Sequence, residues 1–308
     1  MLKYFLKRVL QLIPVILGVT LLVFLIMKMA QGDPARLILG ELATQEQVDE
    51  LREEMGLNDP VLVQYIRYIW DCLHGDFGTS YLKSRSVSSE VISRFPNTMA
   101  LALVSIVFTI ILSVPLGIWA AVRQNTIVDS GIMVFSLIGI SMPVFWLGLL
   151  LMLVFSLSLG LLPTSYDGSF SSYILPAICL IFPNMSTVTR TTRSSMLETI
   201  RQDYVRTARA KGCSQKMTIR KHAFRNALIP SITVIGIQMG QLMGGSVLVE
   251  QIFAWPGLGR LMLESINSRD TPMVLGCVIL LTVACSVINL IVDMCYALVD
   301  PRIRSQYS

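Results

Sequence analysis

Six long apolar stretches constrain this chain more than any other feature of its sequence. Each is close to the roughly 20 residues that an α-helix needs to cross a hydrocarbon core of about 30 Å. Only 15% of the 308 residues are charged, whereas about 25% are charged in a typical soluble domain. The sequence therefore predicts an all-α membrane protein with six transmembrane helices. These lie over 9–29, 98–122, 133–162, 174–189, 228–249 and 273–299.

The residue types that carry enzyme chemistry are not arranged into any site that we can identify. The six cysteines form no C-x-x-C pair, and the two histidines, His74 and His222, are far apart in the sequence. A phosphate-binding loop of the form G-x-x-x-x-G-K-[ST] is absent from the sequence, as are the H-E-x-x-H and G-x-S-x-G motifs. We therefore expect a chain that is not an enzyme and that binds no cofactor, metal or nucleic acid.

The distribution of basic residues predicts how the helices are oriented. The segment 190–227 holds ten Lys and Arg residues, whereas 31–97 holds eleven acidic and six basic residues. Lys and Arg are enriched in the connections on the cytoplasmic side of a membrane. The same residue types flank the first and last stretches: Lys3, Lys7, Arg8, Arg302 and Arg304. We therefore expect both termini in the cytoplasm and 31–97 outside.

The outer segment 31–97 is long enough to hold helices of its own. Thr44 is positioned to cap a helix that Gly56 would end. A second, amphipathic helix is predicted from Pro60 to about Leu73. Its apolar side would comprise Val63, Ile66 and Ile69 or Trp70. The sequence leaves two compatible interpretations open: a cap that packs on the outer membrane face, and a docking surface for an external partner.

The polar segment between the fourth and fifth stretches has an unusual pattern. An apolar stripe at helical spacing comprises Leu197, Ile200, Tyr204 and Ala208, and the opposite side carries Gln202, Asp203, Arg206 and Arg209. Gly212 would end this helix, and Ser214 would cap a following helix that runs into the fifth stretch. Binding to anionic headgroups and the ordinary basic bias of cytoplasmic loops are alternative explanations. Neither explains a helix, a glycine break and a second helix, which suit a rigid lever seated in a partner protein.

This segment resembles the cytoplasmic coupling motif of ATP-binding-cassette (ABC) importer permeases of the dipeptide, oligopeptide and nickel family. The matching residues run from Asp203 to Gly212 and from Arg225 to Pro230. Further family-like strings occur in order along the chain: Gly32-Asp33-Pro34, Gly56-Leu57, Gly75-Asp76-Phe77-Gly78, Phe253 to Arg260, Arg269-Asp270, and Asp300 to Arg304. The general motif of such permeases begins Glu-Ala-Ala. This chain has Arg206-Thr207-Ala208 there, so no acidic residue takes the place of the Glu.

The resemblance implies a type I importer permease fold in a bacterial inner membrane. Such a chain would form half of a pore with a second, homologous permease, two cytoplasmic ATPase subunits that use ATP and Mg²⁺, and an extracytoplasmic solute-binding protein. The residues implied in coupling to the ATPase are Asp203, Tyr204, Arg206, Thr207, Ala208, Arg209, Ala210, Lys211 and Gly212. The implied cargo is a dipeptide or oligopeptide. Nickel or another metal chelate, or glutathione, remains an alternative, and a stand-alone channel or carrier is a further one.

Three other sets of predictions concern the permease core. Polar residues of the fifth stretch predict a translocation path through Gln238, Gln241 and Glu250, while Asp293 of the sixth stretch is expected to form an ion pair near the inner interface. In the loop 251–272 we expect contacts with the binding protein from Trp255, Pro256, Gly257 and Arg260, with Trp255 at the membrane interface; a tight re-entry into the membrane is the alternative. The chain would divide into 1–30, the outer segment 31–97, and a core 98–308 that contains the coupling segment 197–227.

Overall fold

The structure is a computed structural model that describes residues 2–29, 33–40 and 42–299. The predictions for Gly32 and for the string from Asp300 to Arg304 lie outside the described residues. So do those that rest on the side chains of Lys3, Lys7, Arg8 and Asp293.

The described residues are mostly helical, and none of them forms a strand. The α-helices are α1 (Leu2–Met29), α2 (Pro34–Leu39), α3 (Gln45–Glu54), α4 (Val61–Leu73), α5 (Val87–Val122), α6 (Ile127–Ser141), α7 (Val144–Leu151), α8 (Ile174–Ile200), α9 (Asp203–Ala210), α10 (Gln215–Met217), α11 (Phe224–Ile252), α12 (Leu258–Asn267) and α13 (Thr271–Val299). Short π-helices, Met152–Ser158 and Thr218–Ala223, follow α7 and α10, and a 3₁₀ turn, Phe170–Tyr173, precedes α8.

The predicted membrane spans correspond to helices of sufficient length and apolarity. Within the described residues, five helices meet both criteria, and α6 with α7 and its π-helix make a sixth if the bent pair counts as one span. The helix of the second span starts at Val87 rather than at residue 98. The all-α prediction is confirmed.

The third span is not the single helix that was expected over 133–162. Its two halves, Ile127–Ser141 and Val144–Ser158, meet at an angle of 101°. Pro143 lies at the break, and Met142 before it is extended, with φ −83° and ψ 121°. Proline has no N–H group and disfavours the α conformation in the preceding residue. The sequence showed the proline but not how far the chain turns there.

The fourth span is longer than predicted. It was expected over 174–189, but α8 continues to Ile200. Polar side chains in its second half suggested a membrane boundary, but several of them, including Ser186, Thr189 and Thr192, are buried inside the protein. Thr189 Oγ1 donates to the Ser113 carbonyl at 3.3 Å, and the hydroxyls of Thr192 and Ser231 lie 3.0 Å apart.

The contacts divide the chain into two compact units. Among the described residues, the first comprises Met99–Trp255 with the chain ends up to Phe5 and from Cys285 onward, and the second comprises Leu6–Thr98 and Pro256–Ala284. The three-part division by sequence position stays a prediction. The core of the first unit includes Leu101, Leu175, Leu242, Met243 and Trp255.

The second unit holds the outer segment and confirms its two predicted helices. Thr44 and Gln47 form a reciprocal capping box at the start of α3, and Gly56 beyond its end has φ +63°. The apolar side predicted for α4 is only partly packed within the chain. The structure buries Tyr65 and partly buries Ile69, but leaves Val63, Ile66 and Trp70 exposed. Periodicity identified an amphipathic helix, but it could not tell which apolar residues have protein partners.

The segment 251–272, expected to be a loop, contains α12. Thr98 Oγ1 accepts a hydrogen bond from the Leu258 N–H at 2.8 Å, and Asn97 Nδ2 donates to the Pro256 carbonyl at 2.9 Å. These bonds fix the start of α12 against α5. Nearby, the buried Asp270 accepts hydrogen bonds from the Ser80 hydroxyl and from the Tyr81 N–H. Burial raises the pKa of the Tyr81 phenol to about 12, and the Asp270 charge contributes to this shift.

Close helix contacts in the first unit predict an asymmetry between two helix-interior glycines. A Cβ at Gly117 would lie 2.6 Å from Thr192 Cβ and 2.7 Å from the Thr189 carbonyl oxygen, whereas a Cβ at Gly131 would meet nothing within 4 Å. We expect Gly117→Ala to lower the midpoint of thermal unfolding in detergent. Gly131→Ala should leave it unchanged or raise it, because Ala favours a helix over Gly by about 1 kcal/mol. Equal midpoints for the two variants would contradict this packing.

Candidate coupling site

The helix α9 is seated on the protein through two small apolar side chains. After α8 ends at Ile200, Arg201 and Gln202 form a turn, and Gln202 is extended, with φ −69° and ψ 147°. Val205 and Ala208, three residues apart, are 1% and 8% exposed. The apolar cluster beneath them contains Ala121, Met196, Ala223 and Ala227. Residues from the ends of α5 and α8 and from the start of α11 thus contribute to the seat of α9.

The predicted apolar stripe was wrong in one member. It assumed a continuous helix from Leu197 to Ala208, but the break at Arg201 and Gln202 resets the helical phase. Val205 therefore takes the buried position, and Tyr204 is 43% exposed. Its phenol oxygen instead accepts a hydrogen bond from Asn226 Nδ2 at 2.9 Å. This bond ties α9 to α11.

The end of α9 has the predicted glycine cap. The N–H groups of Lys211 and Cys213 donate to the carbonyls of Thr207 and Ala208, at 3.0 and 3.2 Å. Gly212 has φ +84°, a conformation that residues with a Cβ rarely adopt. Space around it is open, because a Cβ there would meet nothing within 4 Å. Backbone conformation alone therefore favours glycine at this position.

Helical structure resumes immediately and continues across the membrane-spanning length. The Ser214 hydroxyl accepts from the Met217 N–H at 3.4 Å, as predicted for a cap. From Gln215 to Ile252 the chain is helical throughout, over 38 residues. A displacement of α9 would therefore act on two long helices, α8 before it and α11 after it.

The outward side of α9 is polar and carries net positive charge. The exposed residues are Asp203, Tyr204, Arg206, Thr207, Arg209, Ala210 and Lys211. Arg206 and Asp203 form an ion pair at 3.8 Å, and because both side chains are largely exposed it adds little stability. These side chains are available to a partner with a polar or acidic surface. The name coupling surface is used below for the exposed side of α9 together with Lys211 and Gly212.

An ion pair that sequence reasoning missed holds α6 against α8. Arg193 Nε and Nη2 donate to the two oxygens of Asp129 at 2.5 and 2.7 Å, and the Asp129 side chain is 5% exposed. Asp129 also accepts the Asn125 N–H at 3.0 Å. The signal in the sequence was a lone acidic residue before an apolar stretch, but Arg193 was counted only as part of the basic connection.

The structure separates the three residues of the predicted translocation path. Glu250 is fully buried and accepts a hydrogen bond from the Ser246 hydroxyl at 3.2 Å, and Gln238 is also buried. Gln241 is exposed on a face of α11 that also presents Ile237, Gly244 and Leu248.

The predicted binding-protein contacts are likewise divided. Trp255 is fully buried, with the rings of Tyr166 and Tyr173 at 4.7 and 4.4 Å, so it packs inside the protein, and its expected place at the membrane interface stays a prediction. Aromatic partners that are distant in sequence bury it, and no local pattern indicates them. Gly257 is buried too, whereas Pro256 and Arg260 are partly exposed. Arg260 Nε donates to Glu264 at 2.8 Å.

Comparison with known proteins identifies the family. Residues 113–305 match the family described as binding-protein-dependent transport system inner membrane component, and residues 1–102 match the N-terminal family of the same membrane components. The chain belongs to this family. It is therefore a multi-pass permease of the bacterial inner membrane.

Relatives of the permease align over nearly its whole length. It is 46% identical over 304 residues to the glutathione transport system permease protein GsiC of Salmonella paratyphi A, with 99% of both chains covered. It is 43% identical over 315 residues to the oligopeptide transport system permease protein AppB of Bacillus subtilis, with 99% of this chain and 100% of that protein covered. Both relatives are named as permeases of transport systems.

A solved structure supports the fold. A chain of the inward-facing MetNI methionine ABC transporter matches with a TM-score of 0.57 at 19% identity, covering 68% of the permease and 96% of that chain. The permease thus has the type I ABC importer fold. Among its described residues, no group of three or more His, Cys, Asp or Glu side chains is arranged to hold a metal ion.

The Asp129–Arg193 pair predicts a double-mutant rescue. Asp129→Ala leaves the Arg193 charge partly buried without its carboxylate. We expect a loss of stability of up to about 3 kcal/mol, the low end for a broken buried pair because Arg193 is 23% exposed. Adding Arg193→Met removes the unpaired charge and should recover most of the loss in thermal midpoint. A double variant as unstable as the sum of both single variants would refute a direct interaction.

Proposed function

We propose that this permease forms half of the translocation pathway of an ATP-driven importer that takes up short peptides from an extracytoplasmic binding protein. The observation that carries the proposal is the geometry of α9. It is a short helix with an exposed polar side and an apolar seat, and after the cap at Gly212 the chain continues as one helix into α11. A nucleotide-dependent movement in a partner would reach the membrane helices through this element.

The seat of α9 supports a rigid lever rather than a mobile loop. Val205 and Ala208 pack into the cluster beneath α9, and the Tyr204–Asn226 hydrogen bond attaches α9 to α11 at a second point. A force applied to Arg206 or Arg209 would therefore move α9 together with the ends of α8 and α11. Rigid elements with two discrete arrangements are what transmits coupling between distant sites.

The roles that we propose for this chain and for its partners follow from the absence of a nucleotide-binding motif in its sequence. Because it has no phosphate-binding loop, we propose that it binds no nucleotide and is not catalytic. Two ATPase subunits would supply hydrolysis on the side of the coupling surface. A second, homologous permease would complete the pore as a heterodimer. In the proposal this surface and both termini lie on the cytoplasmic side, which the basic residues near α9 support.

The names of two relatives support a peptide as the transported substrate. AppB is named for oligopeptide transport and GsiC for glutathione transport. We propose short peptides as the cargo and keep glutathione, a tripeptide, as the second candidate because the GsiC relatives reach 46% identity. Uptake of a radiolabelled dipeptide and of radiolabelled glutathione by the reconstituted transporter separates them: uptake of the dipeptide is expected, and uptake of glutathione alone would favour the second candidate.

For the solute path and the binding-protein contact, we propose fewer residues than the sequence predicted. We propose that Gln241 contributes to the path, because it is exposed on α11, and that the buried Gln238 and Glu250 hold α11 in place. For the binding protein, the partly exposed Pro256 and Arg260 remain candidate contacts. Trp255 and Gly257 would support the loop from inside.

The lever predicts that a side chain at Gly212 uncouples transport. Valine strains the backbone at φ +84° by about 1–3 kcal/mol, so the end of α9 should shift. In reconstituted complexes we expect Gly212→Val to hydrolyse ATP while uptake per ATP falls about tenfold, the effect of roughly 1.4 kcal/mol. Gly212→Asn should retain more coupling, because Asn tolerates this conformation.

The matched control is Gly168→Val. Gly168 also has φ +84° and open space around it, but it lies in a loop before α8 rather than at α9. It should retain the wild-type ratio of uptake to hydrolysis. An unchanged ratio in Gly212→Val, in a complex that assembles with a normal thermal midpoint, would refute the lever.

A further inference from the structure

The helix α4 presents three different faces. Its packed face includes Tyr65, Tyr68 and Ile69. A neighbouring arc is apolar yet largely exposed: Leu62 at 62%, Ile66 at 59%, Trp70 at 63% and Leu73 at 76%. The remaining arc is polar, with Arg67, Asp71 and His74 exposed. An apolar arc of this size between a packed face and a polar arc requires a partner.

The packed face of α4 is held along one half of the first membrane helix. The Tyr65 hydroxyl donates to the Leu17 carbonyl at 2.8 Å and lies 2.8 Å from Thr20 Oγ1. Its ring contacts that of Phe24, with centroids 5.7 Å apart. Lys28 Nζ donates to Gln64 Oε1. The contacts on α1 thus extend from Leu17 to Lys28, inside the apolar stretch Val9–Met29.

These contacts limit the depth of α4. The Tyr65 hydroxyl reaches Leu17, twelve residues or about 18 Å before Met29, but Gln64 of α4 bonds Lys28, one residue before Met29, so that turn of α4 lies at the end of the apolar stretch. That is the depth of the boundary between acyl chains and headgroups. Trp side chains concentrate at this depth, and helices with one apolar and one charged side lie in its plane.

We propose that α4 lies in the membrane interface, with Leu62, Ile66, Trp70 and Leu73 against lipid acyl chains. The polar arc would then face the headgroups and water, where Asp59 holds the Arg67 guanidinium at 2.7 Å. The leaflet is the one at the Met29 end of α1.

Continuity with α1 favours lipid over a protein partner. Leu22, Leu25 and Ile26 of α1 are 57%, 41% and 56% exposed, as expected for a helix that contacts lipid. The exposed arc of α4 belongs to a helix that packs directly against α1 through Tyr65, so it is within reach of the same lipid. A soluble binding protein approaching from the aqueous side would meet the polar arc instead. Of the two interpretations open for the outer segment, α4 thus follows the membrane one.

Fluorescence in nanodiscs tests this proposal on the assembled transporter. The emission of Trp70 is obtained as wild type minus Trp70→Phe. It is compared between phosphatidylcholine brominated on the acyl chains near the headgroup and unbrominated lipid. We expect brominated lipid to remove about half of this emission, as for a Trp at the interface. Two variants in the Trp70→Phe background provide matched positions: Ile66→Trp on the apolar arc should be quenched, and Asp71→Trp on the polar arc should not.

The competing results are distinct. Trp70 emission that is insensitive to brominated lipid but quenched by acrylamide would mean that the arc faces water. Emission insensitive to both would mean that a protein subunit covers it. Either result overturns the proposal. If the Trp70→Phe complex does not assemble, Ile66→Trp in the otherwise native chain supplies the added emission for the same comparison.

Discussion

The burial of the polar half of α8 is the constraint on which the rest of the structure depends. Ser186, Thr189 and Thr192 are at most 1% exposed although they follow an apolar span. Buried hydroxyls require hydrogen-bond partners, and here the Ser113 carbonyl on α5, the Ser231 hydroxyl on α11 and the Phe182 carbonyl of α8 itself satisfy them. Arg193 adds a bidentate pair with Asp129 on α6. These contacts fix three helices around α8, and α8 leads directly to α9.

The coupling surface follows from this arrangement. Because α8 is fixed on several sides, its end at Ile200 gives the turn into α9 a defined origin. The cap at Gly212 ends α9 and leads the chain into the continuous helix that ends at Ile252. Small residues at the seat, Ala208 and Ala227, allow α9 to pack closely against this helix. Stability and signal transmission thus depend on the same contacts.

Local chemistry was predictable from the sequence, and long-range burial was not. Thr44, Gly56, Gly212 and Ser214 act within a few residues of their position, so their capping roles were correctly predicted. The burial of Trp255 depends on Tyr166 and Tyr173, which are distant in sequence.

Contacts with residues distant in sequence also decide the length of α8, and the sequence did not reveal the break that sets the buried side of α9 or the ion pair near it. The length of α8 depends on partners in α5 and α11, so hydropathy alone ended it too early. In α9, the shift from Tyr204 to Val205 arose because a two-residue break resets the helical phase, and composition does not reveal such a break. The Asp129–Arg193 pair joins residues 64 positions apart, and neither carries a local motif.

The most direct test of the account is site-specific photocrosslinking of the assembled transporter. A photo-crosslinking amino acid replaces Arg206 on the coupling surface or, as a control, Glu46, which is exposed on α3 of the outer segment. The account predicts that position 206 forms an adduct with an ATP-hydrolysing subunit and that position 46 does not. An adduct of position 206 with lipid alone or with another permease chain, or an ATPase adduct at position 46, would contradict it.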